Sequence, residues 1–410
     1  MIDRRRLIAA WAVLAAGAAL VVSACGGGGE EAASSTTAQT ETAGPKELQA
    51  GTITVGYGNN LTGFLAVHDS VISEGAKVEV NDINAQGGIG GKVKIDLMIE
   101  DTKTDPGVSV QVARSLVQKD VDVVILPCNT DFQVAMAEVT QASNVFTLSP
   151  CNADPTLSNR VAVYWPVGMG GNAQLAQLAD YAVSKGYKSA YILNAPDFLY
   201  ISLMTKYFKK AAADRGIDIA GEDTVKVGDT NFASQVTKIK NANPQPDVIM
   251  TGLFTPFVNA LIKQLRGAGV DIPVIGTDGM DTGLHLQAGG KSAEGDTFST
   301  FGFPTPGSAL DEFYSTMEQE TGKRPDGSYA ALGAATIQVL AKAIEQAGST
   351  DPADIQNVLA DGITVDTALG QIQYLGGNEK NPTTPVAIVT VKGGKFELVK
   401  EGVPEDVPQP

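Results

Sequence analysis

The run NDINAQGGIGGK, Asn81–Lys92, has the composition of a loop that holds phosphate: four of its last six residues are glycine and it ends in lysine. Phosphate cradles leave a strand and open a helix, so that free backbone N–H groups face the anion. This run does the reverse, closing a helical pattern and entering the apolar stretch VKIDLMIED, Val93–Asp101. Gln86 stands where the first glycine of a Walker A loop would fall, and Val93 stands where its Ser or Thr would follow Lys92. Val93 also replaces the third glycine of a G-x-G-x-x-G fingerprint begun at Gly88. Gly87 and Gly88 read as a helix C-cap and turn.

The other chemistry-bearing residues are sparse. The two histidines, His68 and His285, are far apart and lie outside any H-E-x-x-H pattern. The chain has no G-x-S-x-G elbow and no S-x-x-K, the usual settings of acyl-transfer nucleophiles. Three cysteines, Cys25, Cys128 and Cys151, are too few for a Cys-rich metal site. Asp278 and Asp281 in TDGMDTG lack the rest of a calcium loop. Binding rather than catalysis is expected, with no cofactor and no metal.

The 410 residues, 43% of them hydrophobic, exceed what one core usually holds, so two domains are expected. A net charge of −16 repels phosphate backbones, and no basic aromatic patch offsets it, which argues against nucleic acid as a partner.

The N-terminus, MIDRRRLIAAWAVLAAGAALVVSAC, carries a basic start at Arg4–Arg6 and an apolar run from Leu7 to Val22. That run is shorter than the ~20 residues of a membrane span and suits a signal-peptide core. Val22-Ser23-Ala24-Cys25 resembles a bacterial lipobox. The resemblance implies a signal peptide over 1–24, cleavage before Cys25 and lipidation of its thiol, which would anchor the protein to the outer face of the cytoplasmic membrane. From Gly26 to Gly51 the chain is rich in Gly, Ser, Thr, Ala and Glu with one large aliphatic residue, Leu48, so residues 25–50 are expected to be a disordered tether. A flexible coil of that length spans roughly 25–30 Å.

Beyond the tether the apolar pattern alternates between strand and helix. GTITVGYG, VKIDLMIED, VDVVILP and Val145–Leu148 read as strands. Between them fall helical patterns over Asp69–Ala85, Pro106–Lys119 and Asp131–Ala142. The alternation restarts near Asn172 and runs through SAYILN, IDIAGEDTV, DVIMTG and PVIGTD. Helices are expected over Ser308–Thr321 and Tyr329–Ala347, then strands at GQIQYL and a hairpin turning at Gly393-Gly394. The fold class is α/β, with two doubly wound parallel sheets whose ligands bind beyond the strands' carboxyl ends. Cys128 and Cys151 each follow an apolar run. If those runs are adjacent parallel strands a disulfide is expected, two separate buried thiols being the alternative.

Six stretches in order carry a resemblance to the leucine/isoleucine/valine-binding family of type I periplasmic binding proteins. They are LTG (Leu61–Gly63), DINAQGGIGGK, EDTKTDP (Glu100–Pro106), SPCNADPTL (Ser149–Leu157), PDFLY (Pro196–Tyr200) and GTDG (Gly276–Gly279). The resemblance implies two lobes joined by three crossover segments, closing on a small molecule. Lobe one would be 51–167 plus 299–367, and lobe two 168–298 plus 369–402. It implies ligand contacts from His68, Asn129, Thr130, Cys151, Asn152 and Ala153 of lobe one, and from Tyr200, Phe254 and Asp278 of lobe two. In amino-acid-binding members, lobe one holds the α-carboxylate and an acidic residue at the Asp278 place pairs with the α-ammonium. This chain departs from the pattern at Ala153, where a threonine is usual, at His68, where tyrosine is common, and at Asp278, where glutamate is usual. Phe254 serves equally as a core residue and Asp278 as a turn or cap.

The resemblance further implies a monomeric solute-binding protein that delivers ligand to an ABC permease. A receptor-type sensor is the alternative role. Branched-chain or other amino acids, amides and aromatic acids all remain open as ligands. For the anchor, Cys25→Ala is expected to release the protein from the membrane fraction; a variant that still sediments with membranes after a high-salt wash would remove the lipidation reading.

Overall fold

The middle strands of the first half, VVI and FTLS, are buried at every residue, as a sheet covered on both faces requires. A computed structural model describes residues 46–377 and 379–410. The signal peptide, Cys25 and the tether up to residue 45 lie outside the described residues. The chain begins β1 (Gly51–Asn59), α1 (Ala66–Ala85), β2 (Val93–Asp101), α2 (Pro106–Gln118), β3 (Val123–Ile125), α3 (Thr130–Ala142), β4 (Phe146–Ser149), α4 (Leu157–Arg160) and β5 (Tyr164–Pro166). These five strands form one parallel sheet in the order β2-β1-β3-β4-β5. Parallel neighbours need a long crossover, and the intervening helices supply it.

The second half begins α5 (Gly171–Ser184), β6 (Ser189–Asn194), α6 (Leu199–Asp214), β7 (Asp218–Thr224), α7 (Ala233–Lys240), β8 (Val248–Thr251), α8 (Phe257–Gly267), β9 (Val274–Gly276), α9 (Gly283–Gly289) and β10 (Thr297–Thr300). Then come α10 (Ala309–Thr321), α11 (Tyr329–Ala347), α12 (Pro352–Asp361), β11 (Ile363–Thr367), β12 (Gly370–Tyr374), β13 (Val386–Lys392) and β14 (Lys395–Gly402). The second sheet runs β14-β13-β10-β9-β8-β6-β7, with β13 antiparallel to both of its neighbours and the other pairs parallel. Each sheet has its own core. One gathers α1, α11 and α12 with the first sheet, and the other gathers α5, α6 and α8 with the second. The chain crosses between them after β5, after β10 and after β12, giving the expected two doubly wound lobes and three crossovers.

Two boundaries differ from expectation. β10 lies wholly in the second sheet, so that crossing falls after Thr300. β12 pairs antiparallel with β11, and their alternating residues Ile363, Val365, Ile372 and Tyr374 are buried in the first core. Lobe one therefore keeps this hairpin, and the last crossing comes between 374 and 386 rather than near 368. The end of the tether is a third difference. Leu48 is 9% exposed within the first core, and Lys46 pairs with Asp354 at 2.7 Å. The exposed ion pair contributes little. Burying the leucine, worth about 1.5–3 kcal/mol, docks the segment.

The glycine run is the turn the sequence suggests. The α1 helix ends at Ala85, and the Gly88 N–H donates to the Ile83 carbonyl at 2.9 Å. Gly88 has φ 96°, and a Cβ there would stand 2.3 Å from the Val93 carbonyl oxygen. In lobe one, helices α1 and α11 approach until a Cβ on Gly333 would lie 1.9 Å from the Ile72 carbonyl oxygen. Backbone cannot give way as a flexible side chain can. Gly333→Ala should therefore cost about 1–3 kcal/mol in urea unfolding, whereas Gly267→Ala, with open space at its Cβ, should be neutral or stabilising. Equal stabilities for the two variants would contradict this packing.

Candidate functional site

The loops that leave the carboxyl ends of β1, β3, β4, β8 and β9 converge between the lobes, where open α/β sheets place ligands. They enclose a cavity of about 40 Å³. A water needs roughly 10–15 Å³ on the same measure, so there is room for more than one. Of the residues expected from the sequence, His68, Asn129, Cys151, Asn152, Ala153, Tyr200, Phe254 and Asp278 line it. Thr130 does not: it is the first residue of α3 and is fully buried beside the cavity. Asp69, Gln174 and Tyr329 also line it, with apolar Leu65, Met169 and Phe301.

Cys128 and Cys151 form the expected disulfide, with Cα atoms 4.9 Å apart. Strands β3 and β4 are adjacent and parallel, so the two cysteines emerge at the same sheet edge. The bridge ties together the two loops that supply Asn129, Asn152 and Ala153.

Asp278 begins a short 3-10 turn after β9 and is 5% exposed. Its Oδ1 accepts hydrogen bonds from Gln174 Nε2 at 2.5 Å and from the Tyr200 hydroxyl at 2.8 Å. Its Oδ2 accepts from the Tyr329 hydroxyl at 2.7 Å. Burial raises its carboxyl above the ordinary range, and these three donors pull it back without reversing the shift. Among the described residues, no lysine or arginine lines the cavity. The other acid, Asp69, opens the first full turn of α1 and is pushed by burial up to about 7.

His68 sits on the same turn. Its Nε2 lies 3.2 Å from the Gly279 carbonyl oxygen. A carbonyl only accepts, so Nε2 carries the proton and Nδ1 keeps a lone pair. Nδ1 is buried and without a hydrogen-bond partner. Burial pushes the imidazole down to about 4, so it is neutral near pH 7.

Several of these bonds join one lobe to the other. His68 and Tyr329 of lobe one reach Gly279 and Asp278 of lobe two. The Asp131 carboxylate accepts from the backbone N–H groups of Leu199 and Tyr200 at 2.8 and 3.1 Å, capping the start of α6 from across the cleft. Asp281 accepts from the Ser328 hydroxyl at 2.6 Å and from Thr300 at 2.5 Å, which uses its carboxylate structurally. Phe64 stacks on Phe254 with ring centroids 6.1 Å apart. The lobes are closed on each other.

Residues 52–395 match the family model described as periplasmic binding protein. The chain belongs to this family. A Leu/Ile/Val-binding protein homolog from Brucella melitensis is 29% identical over 326 residues, covering 78% of this chain and 87% of its relative. Among solved structures, a leucine binding protein from Thermotoga maritima superposes with a TM-score of 0.79 at 21% identity, over 86% of this chain and 99% of that one. An ABC transporter solute binding protein from R. palustris in complex with benzoate has a TM-score of 0.75 at 19% identity, covering 87% and 98%. Both likenesses are of fold, the type I periplasmic binding protein.

Of the three partners that hold Asp278 in this periplasmic binding protein, the sequence reading named Tyr200 and missed Gln174 and Tyr329. Gln174 lies in α5, whose Leu and Ala stripe reads as core. Tyr329 opens α11, 51 residues beyond Asp278, and nothing local marks it. Asp69 had a signal, since it directly follows His68.

Proposed function

We propose that this periplasmic binding protein closes its lobes on an amino acid, carries out no catalysis, and delivers its ligand to an ABC permease while held outside the cytoplasmic membrane by a lipid on Cys25. The observation that carries the ligand reading is Asp278, a buried carboxylate with three neutral donors and, among the described residues, no cation beside it in the cavity. An α-ammonium supplies the missing positive charge. The names of relatives that bind leucine, isoleucine and valine support the same class.

Aromatic acids, the ligand class of the benzoate complex, fit these residues poorly. Among the described residues, two carboxyl groups, Asp69 and Asp278, line the cavity, and no lysine or arginine is there to receive an anion. A ligand carboxylate beside them would be repelled unless it were paired with an ammonium on the same molecule. In an amino acid the cationic end goes to Asp278, and the anionic end goes to the lobe-one loops around Asn129 and Asn152. Ala153 brings no hydroxyl to that end, so backbone N–H groups and the Asn129 amide take the role.

Asp278→Asn keeps the shape and most of the hydrogen bonding but removes the charge. Calorimetry with an amino acid that binds the wild type should show affinity lower by about 2–5 kcal/mol, or roughly 30- to several-thousand-fold. The pH dependence has a definite sign. Asp278 has a raised carboxyl and pairs with ammonium only when ionised, so binding should weaken as pH falls through that raised range. Asp69 adds to the loss as it takes up a proton, and Asp278→Asn should retain only that share. An unchanged affinity in the variant would remove Asp278 from the site.

A further inference from the structure

We propose that His68 and Asp69 form a hydrogen-bond-accepting subsite in lobe one, so that the preferred amino acid carries a donor on its side chain (a hydroxyl, amide or ammonium) rather than an aliphatic chain. This rests on the reading of the cavity as an amino-acid site and adds the class of side chain.

The two residues are consecutive in the first turn of α1 and both line the cavity from lobe one, whereas Asp278 lines it from lobe two. His68 is 4% exposed, and its tautomer is fixed by the Gly279 carbonyl, which leaves Nδ1 a bare acceptor. Its ring is held edge-on against Tyr329 and Phe254, with centroids 5.1 and 6.1 Å away, so the imidazole has little freedom to seek a partner elsewhere. Asp69 is 2% exposed. Its Oδ2 accepts from Asn60 Nδ2 at 2.5 Å, and Asn60 Oδ1 accepts from the Thr102 hydroxyl at 2.5 Å. This chain accounts for Oδ2 as a brace for the loop after β1. It leaves Oδ1 unused, and no cation acts on the group.

A buried acceptor without a partner, as His68 Nδ1 is, is costly and calls for a donor, and the neighbouring Asp69 Oδ1 offers that donor a second acceptor. An aliphatic side chain would seal both acceptors against carbon. A side chain ending in O–H or N–H would satisfy them, while Leu65, Met169 and Phe301 pack its methylene part. Sites built to hydrogen-bond a substrate group reject analogues that lack it, whereas apolar pockets discriminate weakly.

The test is calorimetry on the full-length chain with L-leucine, L-threonine, L-glutamine and L-lysine, for wild type, Asp69→Leu and His68→Phe. In the wild type at least one donor-bearing amino acid should bind about tenfold or more tighter than leucine. Each variant should drive that ratio toward one, chiefly by improving leucine. A brace or packing role alone would weaken all ligands alike and leave the ratio in place. His68→Phe retains an aromatic ring of similar size, so it decides the matter if Asp69→Leu fails to fold. Leucine binding as tightly as the other three, or ratios unchanged in both variants, would overturn the subsite while leaving the cavity an amino-acid site. Failure of all four to bind would overturn that broader reading as well.

Discussion

A carboxylate taken out of water needs compensation, and at Asp278 it comes from both lobes at once. Gln174 and Tyr200 belong to lobe two, and Tyr329 to lobe one. Desolvating such an ion costs several kcal/mol. Hydrogen bonds to a charged group return about 1.5–3 kcal/mol each. Three of them bring the group near balance, yet burial still holds its carboxyl above the ordinary range. The closed cleft thus contains an acid stable enough to persist and short of one positive charge. That deficit is what a ligand ammonium would relieve, and relieving it favours closure because Tyr329 reaches Asp278 only when the lobes meet.

The rest of the architecture keeps that geometry in place. The Cys128–Cys151 bridge fixes the two lobe-one loops against each other. The close contact of α1 with α11 brings His68 and Asp69, at the start of one helix, beside Tyr329, at the start of the other, within a single rigid pair. On the far side, Asp131 caps α6 and so orients Tyr200, the second residue of that helix. Ligand affinity therefore depends on residues that never touch the ligand, since closure is a shared equilibrium.

Much of this was legible from the residues alone. The alternation of apolar strands and helices gave the two sheets, and the position of the glycine run between a helix and a strand marked it as a turn. Eight of the nine expected ligand residues line one cavity, because loops after successive parallel strands must emerge at the same edge. Thr130 failed by one position: Asn129, the N-cap, faces the cavity and the next residue turns into the helix. The boundaries near 298 and 368 came from the resemblance and cut close to β10 and the β11–β12 hairpin, whose sheet or lobe membership is set by pairing and packing rather than by local sequence. Gln174 and Tyr329 were invisible because their role exists only in the closed tertiary arrangement. Leu48 shows the converse, a single apolar residue that looks incidental in a polar segment and proves to be docked.

The central claim is that the cavity recognises a positive charge, and the most direct measurement compares an amino acid with the same molecule lacking its ammonium. Titration calorimetry with L-leucine and with 4-methylpentanoate, and likewise with L-phenylalanine and 3-phenylpropanoate, would isolate that one group. Measurable binding confined to the amino acids, with the plain carboxylates silent, is the result this account predicts. Carboxylates binding as tightly as their amino-acid counterparts would contradict it.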